Sequence, residues 1–196
     1  MAERISDAAL DTLFRKARSY GTFAGEAVSD AQLRAIYEIM KHGPTTANSQ
    51  PQRIVFLRSQ EAKLRLAPAL SSANRDKTLA APVVAIFAYD LKFSEHLDRF
   101  YHVAGAKNWY TTTPQLNEWT AFRNASLQAA YFMIAARALG LDCGPMSGFD
   151  NAKVDAEFFP DGQLKSNFLC NLGKGDASKL SPVNPRFAFD EVCRIM

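Results

Sequence analysis

Histidine and cysteine are scarce in this chain, with three of each among 196 residues. His42, His96 and His102 show no H-x-x-x-H spacing and have no C-x-x-C beside them, so a metal site has little to build on. Cys143, Cys170 and Cys193 are odd in number and widely spaced. That argues against a disulfide framework and for reduced thiols in the cytoplasm. The patterns G-x-G-x-x-G, G-x-x-x-x-G-K-[ST] and G-x-S-x-G are also missing; the nearest approach, Gly144 to Gly148, has its serine out of place. No apolar run reaches the length of a membrane span, and "MAERISDAAL" lacks the apolar heart of a signal peptide. A net charge of +3 without any clustered basic run argues against a nucleic-acid partner.

What is present reads as a globular protein, 47% apolar and 22% charged. Its length suits one domain over residues 1–196. Helical and strand patterns alternate. "SDAALDTLFRKARSYG" sets Ala9 or Leu10, Leu13, Phe14 and Ala17 on one stripe, with Ser6 or Asp7 as N-cap and Gly21 as its stop. "SDAQLRAIYEIMKHGP" repeats the design with a capping box of Ser29 and Gln32, and ends at Gly43-Pro44. "RIVFL" reads as a strand and "EAKLRLAPAL" as a short helix disturbed by Pro68. "PVVAIFAY", apolar at every position, predicts a strand covered on both faces. The longest helix runs from Pro114 to Gly140. Its second half is apolar nearly all round apart from Gln128 and Arg137, which predicts a buried central helix. "NFLCNLG" is a last interior strand, and "FDEVCRIM" a short helix or arm. The class is α+β, with helices flanking a small mixed central sheet.

Several polar features are left over. The loop "PTTANSQP" carries donors and acceptors but no charge, as if made to touch something. Arg18 and Ser19 precede a glycine, and Arg186 stands in "VNPRF"; two guanidinium groups and a hydroxyl suit one phosphate monoester. Asn74 and Lys77 share a helical face just before the apolar strand, where an amide and an ammonium can read the edge of a carbonyl-bearing ring. The glycine loop 144–148 permits close backbone approach to such a ring. Phosphate, polyol and hydrogen-bonding heterocycle together describe FMN, and with so few acid–base groups the hard chemistry belongs to such a cofactor.

The stretches "KHGPTTANSQPQRIVF", "PALSSANRDKTLAAPV", "TTPQLNEWTAFRN", "RALGLDCGPMSGFD" and "LKSNFLCNLGKGDASKL", in this order, resemble the nitroreductase family of FMN-dependent oxidoreductases over essentially the whole chain. Within the family the likeness is greatest to the HadB/RutE subfamily. The resemblance implies an intertwined homodimer with FMN sites at the subunit interface and terminal arms wrapping the partner. It assigns Arg18, Ser19 and Arg186 to the phosphate. Asn74 and Lys77 go to the pyrimidine edge of the flavin, and Met146, Ser147 and Gly148 to the neighbourhood of N5. Pro44, Thr45 and Thr46 reach the flavin from the other subunit; Asn48 and Gln50 either join them or hold their loop in shape. It further implies that hydride passes from NADPH or NADH through flavin N5 to a small aldehyde, with Lys77 stabilising negative charge near N1 and O2. The implied aldehyde is malonic semialdehyde, reduced in pyrimidine degradation.

Trp109 and Tyr110 are expected as an aromatic lid, or else as packing for a partner helix. Arg123, or Lys107 near the lid, is a candidate for a substrate carboxylate. The proton for the substrate comes from water, a Thr hydroxyl or Tyr110. Two departures from the family bear on the phosphate: Tyr20-Gly21 and Asn184 stand where further basic residues are common, which leaves Lys174 or Lys179 as substitutes. Ser147 replaces a common Glu, and Gln52 a common Trp. Three competing readings are a general quinone or nitroaromatic reductase, a flavin-binding redox module without turnover, and a hydrolase with Cys143 as nucleophile and His42 or His102 as base. For Cys143 a plain packing role is preferred.

Overall fold

The computed structural model describes residues 3–196. Ser6, not Asp7, caps α1 (Asp7–Leu10), its hydroxyl accepting from Ala9 N. The helix passes into a π-helical turn over Asp11–Arg15 and stops well before Gly21. The capping box at Ser29 opens α2 (Asp30–Met40), with Leu33, Ile36 and Met40 turned inward. The strand β1 (Gln52–Leu57) follows, then α3 (Gln60–Leu66) and α4 (Ser72–Ala80). Pro68 sits in a 3-10 turn that separates these two helices.

Every residue of β2 (Val83–Asp90) is buried, as its apolar sequence predicts. The short helices α5 (Leu97–Phe100) and α6 (Asn108–Thr111) lead to α7 (Pro114–Ala138). The rest comprises β3 (Asp142–Met146), α8 (Asn151–Phe158), β4 (Leu164–Gly173) and α9 (Phe189–Val192).

The strand order is β1-β2-β4-β3, and all three pairings are antiparallel. The expected mixed character is confined to one isolated parallel bridge, from Ser19, outside the named strands, to Cys143 in β3. The glycine loop expected at 144–148 is strand in its first part: residues 142–146 pair with β4 from Asp142↔Gly173 to Met146↔Leu169. Pro145 is tolerated because β3 lies at the edge of the sheet.

Helices cover both faces. On one, Phe87 and Phe132 meet edge to face at 5.1 Å among Ile36, Met40 and Leu172. On the other, Val84, Ile86 and Leu169 pack against Leu66 and Val154. A smaller cluster joins Tyr89, Phe93, Leu97 and Tyr110 to Ala121 and Ala125.

The helix α7 departs from expectation. One side is buried through Asn124, Gln128, Phe132 and Ala136, but Leu116, Trp119, Phe122 and Leu127 on the other are exposed. Residues 181–196 are exposed throughout, although Phe187, Phe189, Val192 and Ile195 are among them. No helix among the described residues is long and apolar enough to cross a membrane.

Candidate functional site

Three stretches that are far apart in sequence meet at the β3 edge. Tyr20 N donates to Cys143 O at 3.0 Å, next to the Ser19–Cys143 bridge, so the Arg18–Gly21 segment lies along β3. Gly144 makes this possible, since a Cβ there would stand 2.2 Å from the Tyr20 carbonyl oxygen. Asn74 Nδ2 donates to Gly148 O at 2.9 Å, and Ser71 N donates to the same oxygen at 3.1 Å. A Cβ on Gly148 would fall 2.5 Å from Asn74 Nδ2. Lys77 reaches Gly21, its Cδ 3.9 Å from where a Cβ would be. Asn171 Nδ2 donates to the Lys77 carbonyl, while its buried Oδ1 has no partner.

The sequence candidates Arg18, Ser19, Asn74, Lys77, Met146, Ser147 and Gly148 therefore share one edge. Met146 turns its side chain inward, its sulfur 3.3 Å from Thr78 Oγ1, so only its backbone faces outward chemistry. Met146 and Ser147 also line a cleft of about 760 Å3 with Tyr89, Phe122, Met133 and Phe168. Among the described residues no carboxylate lies within ion-pair distance of Arg18 or Lys77.

Arg18 donates to the Ser181 carbonyl. Arg186 is not brought to it; its guanidinium binds the carbonyls of Asn184 and Pro185 in the exposed arm. Lys174 pairs with Glu26 at 3.7 Å, whereas Lys179 lies between Asp176, whose N–H donates to Thr22 O, and Ser181.

The loop of Pro44, Thr45, Thr46 and Asn48 is held elsewhere, against α7. Thr46 N donates to Asn124 Oδ1 at 2.8 Å, and Tyr131 OH donates to Pro44 O at 3.0 Å. Thr45 Oγ1 accepts from Gln50 N at 3.2 Å. Asn48 gives its amide to the Phe100 carbonyl at 3.0 Å, a bond that helps shape the loop. Ala47, Asn48 and Gln50 all have positive φ.

Trp109, Tyr110, Arg123 and Cys143 are placed as follows. The Tyr110 ring is buried and stacks edge to face on Phe93 at 5.0 Å, and burial pushes its phenol up from its ordinary value. Trp109 is the exposed member of the pair, T-shaped to Tyr101 at 6.0 Å. Arg123 lies on the open side of α7 with Phe122, Ser126 and Leu127. Cys143 is wholly buried beside Cys170, whose thiol is pushed well above its usual value by Cys143 and by burial. Of the proposed bases, His42 is exposed and His102 stacks on Tyr101, so the nucleophile reading fails.

Sequence reasoning missed several supporting residues. Lys63 is buried, and its ammonium donates to the carbonyls of Leu79 and Ala81 at 2.9 and 2.8 Å. It thereby closes the C-terminal end of α4, the helix that carries Asn74 and Lys77. Burial lowers its pKa. Tyr20 wedges its ring against Gly175, where a Cβ would come within 2.2 Å. Gln128, conspicuous in an apolar helix, accepts from Gln52 N at 3.0 Å; a polar side chain on a buried helix was the available signal.

Residues 14–174 match the family described as Nitroreductase. A protein of Burkholderia lata bearing the name "Putative NADH dehydrogenase/NAD(P)H nitroreductase" is 53% identical over 191 residues, covering 97% of this chain and 98% of that one. Among solved structures, the "putative nitroreductase ydfN" of Bacillus subtilis superposes with a TM-score of 0.87 at 23% identity, over 97% of this chain and 100% of that one. A "putative nitroreductase in complex with FMN" from Exiguobacterium sibiricum gives 0.84 at 19% identity, with all of both chains covered. On the family match and the identity to the Burkholderia protein, the chain belongs to the nitroreductase family.

Proposed function

We propose that the chain is an NAD(P)H-dependent oxidoreductase holding FMN at the β3 edge, a single flavin-binding unit over residues 1–196. The observation that carries this reading is the convergence of Arg18–Ser19, Asn74, Lys77 and Gly148, with two cations that have no carboxylate partner. The name of the Burkholderia relative and the FMN complex of the Exiguobacterium one support it. FMN, when bound, supplies hydride transfer between the nicotinamide donor and the substrate.

The residues present fit such a group. Arg18 and Ser19 would hold the phosphate, with Arg186 from the arm and Lys179 in place of the missing cations. Asn74 has committed its Nδ2 to Gly148 O, which leaves Oδ1 to accept from a ring N–H. Lys77 would stabilise negative charge at the pyrimidine edge. The Gly148 cradle has no room for a Cβ, so backbone at 146–148 can lie close to the ring. Met146 and Ser147 contribute main-chain groups, which makes Ser147 in place of Glu a matter of substrate preference.

The site is completed by a second copy. The loop of Pro44, Thr45 and Thr46 is fixed against α7 of its own chain, apart from the β3 edge, and would meet the partner's flavin. An exposed arm and the open side of α7, with Trp119 61% and Phe187 76% exposed, support a homodimer. Free thiols at Cys143, Cys170 and Cys193 support a cytoplasmic setting.

For the substrate we read a small aldehyde, malonic semialdehyde, on the strength of the subfamily resemblance. The nitroreductase name of the Burkholderia relative favours the alternative of nitroaromatics or quinones. The test is the visible spectrum of the purified protein before and after anaerobic NADPH or NADH. A flavin band that bleaches, and returns on addition of malonic semialdehyde, supports the whole reading. Return only with a nitroaromatic or quinone replaces the substrate, bleaching by dithionite alone leaves a binding module, and no uptake of FMN overturns the proposal.

A further inference from the structure

A second polar cavity, of about 440 Å3, opens beside Ser49 and Gln50 of the Thr45–Gln50 loop. Its walls include four basic groups, Lys41, Arg53, His96 and Arg99, and two aromatic ones, Tyr37 and Phe100. Two of the cations are answered. Arg53 meets the buried carboxylate of Asp90 at 2.6 Å and donates to the carbonyls of Gln50 and Gln52, while Lys41 pairs with Glu38. His96 stands 3.9 Å from Asp90. Arg99 has no carboxylate within ion-pair distance among the described residues; its guanidinium lies over the Phe100 ring, 4.7 Å from the centroid. Set against Asp90 and Glu38, the three permanent cations leave one positive charge over.

Two oxygens among these walls lack the partners that burial demands. Ser49 is 3% exposed and Gln52 8%, yet Ser49 Oγ and Gln52 Oε1 make no hydrogen bond. The rest of the Gln52 amide is committed, its Nε2 to Ala125 O, and its backbone N–H to Gln128 Oε1. A buried acceptor left without a donor costs about 1–3 kcal/mol. A ligand hydroxyl or N–H would relieve it. An uncompensated guanidinium, aromatic faces and an acceptor awaiting a hydroxyl together describe what a nucleoside phosphate offers: an anion, a base and a ribose.

We propose that this cavity binds a nucleoside phosphate and, resting on the oxidoreductase reading above, that it receives the adenosine-phosphate half of the nicotinamide donor. Ser49 and Gln50 come from the loop assigned to the partner's flavin, so the nicotinamide end and the adenosine end would lie along one loop. Arg99 is the residue that would favour NADPH over NADH, through the additional phosphate on the adenosine ribose.

The test is calorimetric titration of the purified protein, supplied with FMN, using 2′,5′-ADP and separately inorganic phosphate. It is repeated on Arg99→Ala, Arg99→Lys and, as a control that removes a cation outside the cavity, Arg34→Ala. The expected result is that 2′,5′-ADP binds more tightly than phosphate and competes with NADPH. Arg99→Ala should weaken it about tenfold, Arg99→Lys should restore part of the loss, and Arg34→Ala should match the wild type. Equal binding by wild type and Arg99→Ala overturns the site, and phosphate binding as well as 2′,5′-ADP overturns the nucleoside. The two readings fail separately. Binding of 2′,5′-ADP without any bleaching by NADPH sinks the oxidoreductase, whereas bleaching without 2′,5′-ADP binding sinks only this cavity.

Discussion

The Gly144–Gly148 edge and the Thr45–Gln50 loop are built from similar material, small residues without charge, and the fold holds them by opposite means. The edge is a pleated strand whose partners come close because two glycines leave space: Tyr20 O at Gly144 and Asn74 at Gly148. The loop has no glycine where it needs one. Ala47, Asn48 and Gln50 take φ of 50°, 49° and 43°, and buried amides of α7 hold the turn in place. One region is shaped by what is left out of the sequence, the other by long-range hydrogen bonds acting against local preference.

The largest effect is expected where the edge is most dependent on space. In Gly144→Ala the new methyl meets a backbone oxygen 2.2 Å away, which cannot swing aside. Overpacking of this kind costs about 1–3 kcal/mol, and the Arg18–Ser19 segment should be pushed off β3. Urea denaturation should show the loss of stability, and flavin binding should fall further than stability alone predicts. A variant that binds FMN normally would show that the edge is not rigid.

The corresponding break in the loop is Asn124→Ala. Asn124 is 1% exposed; it accepts from Thr46 N and donates to Thr120 O. Its removal strands a loop N–H, at about 1–3 kcal/mol. Asn124→Asp keeps the acceptor but buries a charge and turns a carboxylate toward the Thr120 carbonyl, so it should be at least as harmful as alanine in denaturation experiments. An alanine variant as stable as the wild type would show that the loop does not depend on this amide.

A smaller effect tests the end of the sheet beside the loop, where Tyr89 pairs with Gln52. Burial, with Glu118 beside it, pushes the Tyr89 phenol from 10.0 up to about 12. Its stabilising contribution is full below pH 10, where folded and unfolded chains are both protonated. Above that, the unfolded chain loses its proton first, and stability drains away as pH rises through 12. Tyr89→Phe should flatten this alkaline limb in denaturation curves on either side of pH 10.

How much of this could be read beforehand follows from which contacts are local. The strand β2 and the capping box of Ser29 were legible because an apolar run and an S-x-x-Q spacing carry their own instructions. Asn74 and Lys77 were legible as neighbours on one helix, and α4 does place them so. The strand β3 was not, since glycine and proline read as loop and only pairing with β4 overrules them. Trp109 and Tyr110 are adjacent and aromatic, but which ring turns inward depends on where Phe93 lies. The depth of Cys143 and the separation of Arg186 from Arg18 are likewise decided by residues far along the chain.

The smallest change is also the one that reverses sign. Ala47 holds a left-handed backbone, which costs a residue with a Cβ about 1–2 kcal/mol. Ala47→Gly removes that cost, while glycine's freer unfolded chain takes back about 0.5–1 kcal/mol. The net should be stabilising by a fraction of a kcal/mol to about 1 kcal/mol, seen as a higher denaturation midpoint with an unchanged slope. Because Asn124 and Thr45 still tie the turn, the loop should keep its shape and the flavin spectrum its form. A destabilised Ala47→Gly would mean that the methyl packs better than its backbone suffers. The loop would then be held by side-chain contact, as the β3 edge is, and the distinction between the two regions would narrow to the glycines alone.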